Sequence, residues 1–234
     1  GANCSSSLSG CYHGTHVAGI SAGKGASFSG VAKDANIIAI QVFSRAAGTT
    51  QITAYFSDVI AALNRVHALR GSFNIASVNM SLGTNTTYAS NCDATYSSVK
   101  AAIDLLRSVN IATVNSAAIS NSSTGLSAPG CISTAVSVGS TITATDAVSS
   151  FSNSASFLQL LAPGDSIYSS LPGNTFGYLG GTSMAAPHVA GTWAVLKQRV
   201  PAASVSDILN ALRSTGLSVT DPRNGLVFPR IRID

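Results

Sequence analysis

Charge is scarce in this sequence. Asp, Glu, Lys and Arg together make up 9% of the 234 residues and sum to +4, while apolar residues reach 45%. That balance excludes a disordered chain or a coiled coil and fits one globular domain spanning residues 1–234, with no internal repeat and no linker. No Lys/Arg cluster with interleaved aromatics occurs, so no nucleic-acid partner is expected. No apolar run approaches the roughly 20 residues a helix needs to cross a bilayer, so no membrane partner is expected. No signal-peptide pattern opens the chain, as fits a mature, processed protein. Cys-x-x-Cys pairs are missing, which argues against structural zinc. No Asp/Asn-rich loop stands out, so no cofactor is required and structural calcium has no support from the residues. The first twelve residues, Gly1 to Tyr12, contain no Asp or Glu, an absence that bears on the catalytic chemistry.

What is present is paired and patterned. The four cysteines, Cys4, Cys11, Cys92 and Cys131, allow three disulfide pairings. Proximity favours Cys4–Cys11, which leaves Cys92–Cys131. Paired cysteines, low charge and abundant Ser, Thr and Gly imply a secreted monomer. The spacing predicts a helix from His13 to about Gly23 and a short buried strand over Ile37–Phe43. A helix capped by Thr50 or Thr53 should follow and run to Gly71. Further strands are expected at Ile75–Leu82, Ile111–Ala117 and Thr134–Gly139, with a helix at Ala94–Val109 between the first two. Ser204 or Ser206 should cap a late helix, and Asn224-Gly225 signals a hairpin. Strands alternating with helices of this length predict βαβ units: an α/β fold with a doubly wound, mostly parallel sheet and helices on both faces.

Two blocks carry the chemistry. Gly181-Thr-Ser-Met-Ala-Ala-Pro-His-Val-Ala-Gly191 places Ser183 where an apolar helix begins, so free N–H groups and the positive end of the helix dipole face its oxygen. As a lone observation Ser183 would equally be an N-cap. His13-Gly-Thr-His-Val-Ala-Gly19 opens another small-residue helix, and an imidazole is the base a serine nucleophile needs near neutrality. Together the two blocks resemble the His and Ser blocks of the subtilisin-like serine peptidases (subtilases). Ser81-Leu82-Gly83 and Ser127-Ala128-Pro129-Gly130 resemble that family's substrate-cleft segments.

The resemblance implies endopeptidase hydrolysis through an acyl-enzyme, with Ser183 as nucleophile, His13 as general base and the Ser183 backbone N–H as an oxyanion donor. Ser81, Leu82, Gly83 and Ala128 would hold an extended peptide, the expected partner, by strand addition, with Tyr88 shaping a side-chain pocket. His16 and His188 are expected to be structural. Two departures stand against it. Subtilases carry an Asp on a first strand ahead of the His block, and this chain has no acidic residue there; Asp34, after the block, reads as a turn residue. The fold is therefore expected to lack the first strand that carries the catalytic Asp. Counting back from Pro129, Ile119 occupies the position of the family's oxyanion Asn, and Asn115 and Asn121 are out of register to replace it. The chain is expected to be a weak or inactive peptidase. The alternatives are a peptide-binding pseudo-peptidase, or a trimmed enzyme completed by a propeptide or a missing N-terminal segment.

Overall fold

The computed structural model describes residues 10–26, 28–45 and 47–232. In chain order it contains helix α1 (His13–Ala22), a hairpin of β1 (Phe43–Arg45) and β2 (Ile52–Ala54), helix α2 (Phe56–Leu69), β3 (Ser77–Met80), β4 (Thr87–Tyr88) and helix α3 (Ser97–Ser108). There follow β5 (Ala112–Ser116), β6 (Leu126–Ser127), β7 (Val136–Ile142), β8 (Leu160–Asp165), and a second hairpin of β9 (Ile167–Leu171) and β10 (Thr175–Leu179). The chain closes with α4 (Thr182–Arg199), α5 (Val205–Thr215), β11 (Leu217–Thr220) and β12 (Val227–Arg230).

Six strands form the central sheet in the order β11-β12-β8-β7-β5-β3. All neighbours are parallel except the antiparallel pair β11–β12. Alternate residues feed two cores, as a period of two requires in a sheet covered on both faces. Leu160 and Ala162 of β8 join Val114 and Val138 beneath α4 and α5, whereas Leu161 between them points to α2 and α3. The helices are amphipathic at the matching spacing: Val99, Ala102, Ile103 and Leu106 are the buried stripe of α3. Ser204 and Asp207 form a reciprocal capping box at the start of α5. The tail hairpin turns at Gly225, where φ is 72°. Asp221 at its base is fully buried. Burial opposes its ionisation, but the Arg223 guanidinium and the Ser154 hydroxyl outweigh it and hold the carboxyl down at about 2.

Two expectations fail. The run over Ile37–Phe43 belongs to no sheet before Phe43, and its isoleucines lie on the surface. Apolar character predicted burial, but a strand is buried only between partners. Helix α2 is capped by neither threonine, because Thr53 lies within β2 and the helix starts after Tyr55, which makes no side-chain cap. Among the described residues no strand precedes α1. Cys92 and Cys131 form a disulfide with Cα atoms 5.4 Å apart. Cys11 is also disulfide-bonded, and Cys4 lies outside the described residues.

His188 sits on α4 with Nδ1 bonded to the Met184 carbonyl at 2.8 Å, the structural role expected of it. Burial first, then the charge of Arg230, pushes its pKa down from 6.5 to about 4, although the Met184 carbonyl pulls the other way. A folded value below the unfolded one means that the neutral ring's contribution is complete above pH 6.5 and is lost as pH falls towards 4. Urea denaturation should therefore show stability falling by up to about 3 kcal/mol across that window. His188→Gln should shrink the fall, while the neighbouring histidines retain part of it.

Candidate active site

Parallel sheets present their strand ends together, and here the C-terminal ends of β3 and β5 meet the start of α4. Gly181 precedes α4 with φ at 153°, a conformation open to glycine and strained for residues with a Cβ. Its N–H bonds to the Gly164 carbonyl at 2.7 Å. Ser183 follows in the first helical turn, partly exposed, and its hydroxyl caps nothing. The N-cap reading is thereby excluded: Gly181 holds the cap position.

Helix α4 carries Pro187 in its interior. A proline has no N–H, so the carbonyl four residues earlier, that of Ser183, loses its helical donor. Ser81 replaces it, its Oγ donating to the Ser183 carbonyl at 2.7 Å. Asn79 Nδ2 in turn donates to Ser81 Oγ at 2.9 Å. The end of β3 is thus pinned to the first turn of α4 at Ser183.

Helices α1 and α4 run side by side in the same direction. Val17 packs with Met184, Ser21 Oγ donates to the Pro187 carbonyl at 3.0 Å, and a Cβ at Gly191 would stand 2.9 Å from the Ser21 carbonyl. The residue numbers climb together along both helices. His13, one turn ahead of Val17 on the same face, is accordingly placed at the end of α1 that lies level with Ser183. No hydrogen bond joins the two side chains among the described residues; such bonds tighten on substrate binding in many enzymes. His13 is half-buried. Burial, then repulsion from His16, holds its pKa below 6.5, so the ring is neutral at pH 7 and able to accept a proton. No carboxylate among the described residues counters this. Asp34 is engaged on the surface by Lys24 at 2.7 Å and Lys33 at 2.8 Å. His16 is fully buried with Nε2 3.1 Å from the Gly177 carbonyl, a structural position.

The second wall is the segment after β5. Ala118 holds φ at 85°, and its N–H donates to Thr182 Oγ1 at 3.1 Å, tying the segment to the residue before Ser183. Asn153 fastens the next few residues, accepting from the Ser120 and Ser122 N–H groups at 2.8 and 3.1 Å. Between these anchors Ile119 is 60% exposed, with its Cγ2 3.8 Å from where a Gly181 Cβ would stand. An apolar side chain therefore lies against the nucleophile's turn. Asn121 is turned to Arg223, whose Nη1 it accepts at 2.9 Å, and Asn115 is fully buried within β5; neither bonds to Ser183.

Ser81, Leu82, Gly83 and Ala128 are brought together as a single rim. Thr84 N–H donates to the Ala128 carbonyl at 2.9 Å, β4 pairs with β6 just beyond, and the Cys92–Cys131 disulfide closes the same loop. Tyr88 is engaged by a neighbour: its hydroxyl is 3.0 Å from that of Tyr96, and the two rings meet edge to face, partly buried against the core beside Phe56. The link from Ser81 to the Ser183 carbonyl went unread in the sequence, although Pro187 signalled it, since a helix-interior proline always leaves one carbonyl to be satisfied elsewhere.

The candidate site is thus a hydroxyl in the first turn of α4 and a half-buried imidazole in the first turn of the adjacent α1, on a parallel α/β sheet. Residues 3–226 match the model of the subtilase family. Over 218 residues the chain is 38% identical to alkaline serine exoprotease A of Vibrio alginolyticus, covering 92% of this chain and 37% of that protein. Subtilisin DY of Bacillus licheniformis is 31% identical over 214 residues, covering 89% and 72%. The solved structure of a cold-adapted subtilisin-like serine proteinase superposes with a TM-score of 0.77 at 31% identity, covering 95% of this chain and 76% of that one. The chain belongs to the subtilase family. It spans 37% of the Vibrio relative and 48% of subtilisin-like protease 3 of Trichophyton tonsurans.

The Ser81 bridge generates a double-variant cycle. Ser81→Ala leaves the Ser183 carbonyl without its donor and should destabilise by about 1–3 kcal/mol. Pro187→Ala restores an N–H in the helix, so the double variant should be more stable than the sum of the single losses by about 1 kcal/mol or more in urea melts. Simple additivity would show that the bond does not carry this weight.

Proposed function

We propose that the chain is a subtilisin-like serine endopeptidase that, as it stands, turns over slowly. The observation that carries the reading is the parallel apposition of α1 and α4, which sets His13 and Ser183 at one end beside the rim of Ser81, Leu82, Gly83 and Ala128. An extended peptide lies along that rim. Ser183 Oγ attacks the scissile carbonyl carbon while its proton passes to His13. The same proton then goes to the leaving amine, and water, deprotonated by His13, releases the acyl group. The disulfide between Cys92 and Cys131 supports a protein that works outside the cell.

The second reading, a peptide-binding pseudo-peptidase, is favoured by the same geometry in two places. Ile119 offers no hydrogen bond to the tetrahedral oxyanion, leaving the Ser183 N–H as donor. Among the described residues no carboxylate stabilises the protonated form of His13, and in serine peptidases single losses of this kind cost about 10²–10⁴ in rate.

A fluorophosphonate probe separates the two. The peptidase reading expects slow labelling that disappears in Ser183→Ala and that rises by about 10²-fold in Ile119→Asn, as an oxyanion donor is restored. Absence of labelling in both the parent and Ile119→Asn would leave the binding reading in its place.

A further inference from the structure

The segment after β5 holds Ile119 in a backbone that its own residues do not favour. Ala118 and Asn121 both take the left-handed region, with φ at 85° and 56°. Neither is a glycine, so each carries a steric cost that only its surroundings can offset. Part of that support is local. Ala118 N–H donates to Thr182 Oγ1 at 3.1 Å, and Asn153 Oδ1 accepts from the Ser120 and Ser122 N–H groups. Asn153 N–H in turn donates to the Ala118 carbonyl at 2.9 Å. The rest comes from the turn of the β11–β12 hairpin, 102 positions along the chain. In the sheet β8 and β7 stand between β12 and β5, yet Arg223 Nη1 donates to Asn121 Oδ1 at 2.9 Å and to the Ser150 carbonyl at 3.1 Å. Asn224 Nδ2 donates to the Ser123 carbonyl at 2.8 Å and to Ser154 Oγ at 3.0 Å.

These donors are themselves fixed. Arg223 donates to Asp221 through Nε at 2.9 Å and Nη2 at 2.7 Å, two parallel bonds to a fully buried carboxylate. Ser154 Oγ donates to the same carboxylate at 2.6 Å, and Asn224 Oδ1 accepts from the Leu226 N–H at 3.0 Å. The guanidinium is thus presented to Asn121 as a rigid fork. We propose that Arg223 and Asn224 are positioning residues: the hairpin turn clamps residues 118–123 in their left-handed bends and so sets residue 119 against the first turn of α4. The segment is held at two ends. Thr182 ties position 118 on one side, the hairpin ties positions 121 and 123 on the other, and residue 119 lies between the ties. Release of the hairpin side leaves two unfavourable dihedrals free to relax, and residue 119 moves with them. The activity arm of this inference rests on the peptidase reading above; the backbone arm does not.

Arg223 stays in place in the test, because its removal would strip the buried Asp221 of its counter-charge and endanger the fold. Asn121→Ala removes the acceptor and Asn224→Ala the second donor, whereas Asn121→Asp keeps an acceptor for Arg223 and tolerates the left-handed bend. Hydrogen exchange on the intact chain should show the amides of Ala118, Ser120 and Ser122 exchanging about tenfold faster or more in the two Ala variants. The same amides should keep parent rates in Asn121→Asp, and α3 and α5 should keep them in every variant. Fluorophosphonate labelling reads the placement of residue 119. The roughly 10²-fold gain expected of Ile119→Asn should be lost when Asn121→Ala or Asn224→Ala is added, and kept when Asn121→Asp is added. Parent exchange rates at these amides in both Ala variants overturn the clamp. Equal acceleration in α3 and α5 also overturns it, since the two residues would then hold the whole fold and not this segment. Faster exchange with the Ile119→Asn gain intact overturns the positioning role. Absence of labelling in Ile119→Asn itself overturns the peptidase reading and the activity arm with it, while the exchange result still decides the clamp.

Discussion

Everything at this site depends on how closely α1 and α4 can approach. Two helices meet at a separation set by the side chains between them, and here one contact on α4 is a glycine. A Cβ at Gly191 would stand 2.8 Å from Val31 Cβ and 2.9 Å from the Ser21 carbonyl. On α1, a Cβ at Gly19 would collide with the hydroxyls of Ser169 and Ser170, which themselves bond to the His16 and Thr15 carbonyls. The hairpin β9–β10 thus presses α1 onto α4 from the other side. Small residues at these contacts are what allow two helices to start at the same end with their first turns level. A larger residue at Gly191 would separate the helices first and displace His13 relative to Ser183 as a consequence.

Much of this was legible in the sequence, because the signals were of the kind periodicity carries well. The stripe of Val99, Ala102, Ile103 and Leu106 declares a helix, the apolar runs ending at Ser116 and Ile142 declare buried strands, and Ser204 followed by Asp207 declares a capped start. The His and Ser blocks each open a helix, α1 and α4, as their spacing declares. What periodicity cannot supply is the partner. Ile37, Ile38 and Ile40 are as apolar as any buried strand, yet among the described residues no strand pairs with them, and they stay on the surface. Tyr88 reads as a residue near the cleft but is held by Tyr96, eight positions on, a contact made only when β4 and the start of α3 fold together. Ser81 bonding to the Ser183 carbonyl couples residues 102 positions apart, and only the missing N–H of Pro187 hints at it.

The state of His13 bears on how the machinery could be improved. In a triad the acid performs two functions, orienting the ring and stabilising its protonated form. Burial and His16 both disfavour protonation of His13, so in the proposed reaction a proton taken from Ser183 would be held by a ring whose environment opposes holding it. In the proposed reaction the transition state for attack would carry that positive charge alongside an oxyanion, and Ile119, beside the Ser183 turn, has no hydrogen bond to offer it. The two deficits therefore fall on the same step. Groups that act on one transition state are strongly non-additive, and repairing one while the other stands recovers less than its usual worth if the remaining deficit limits the step.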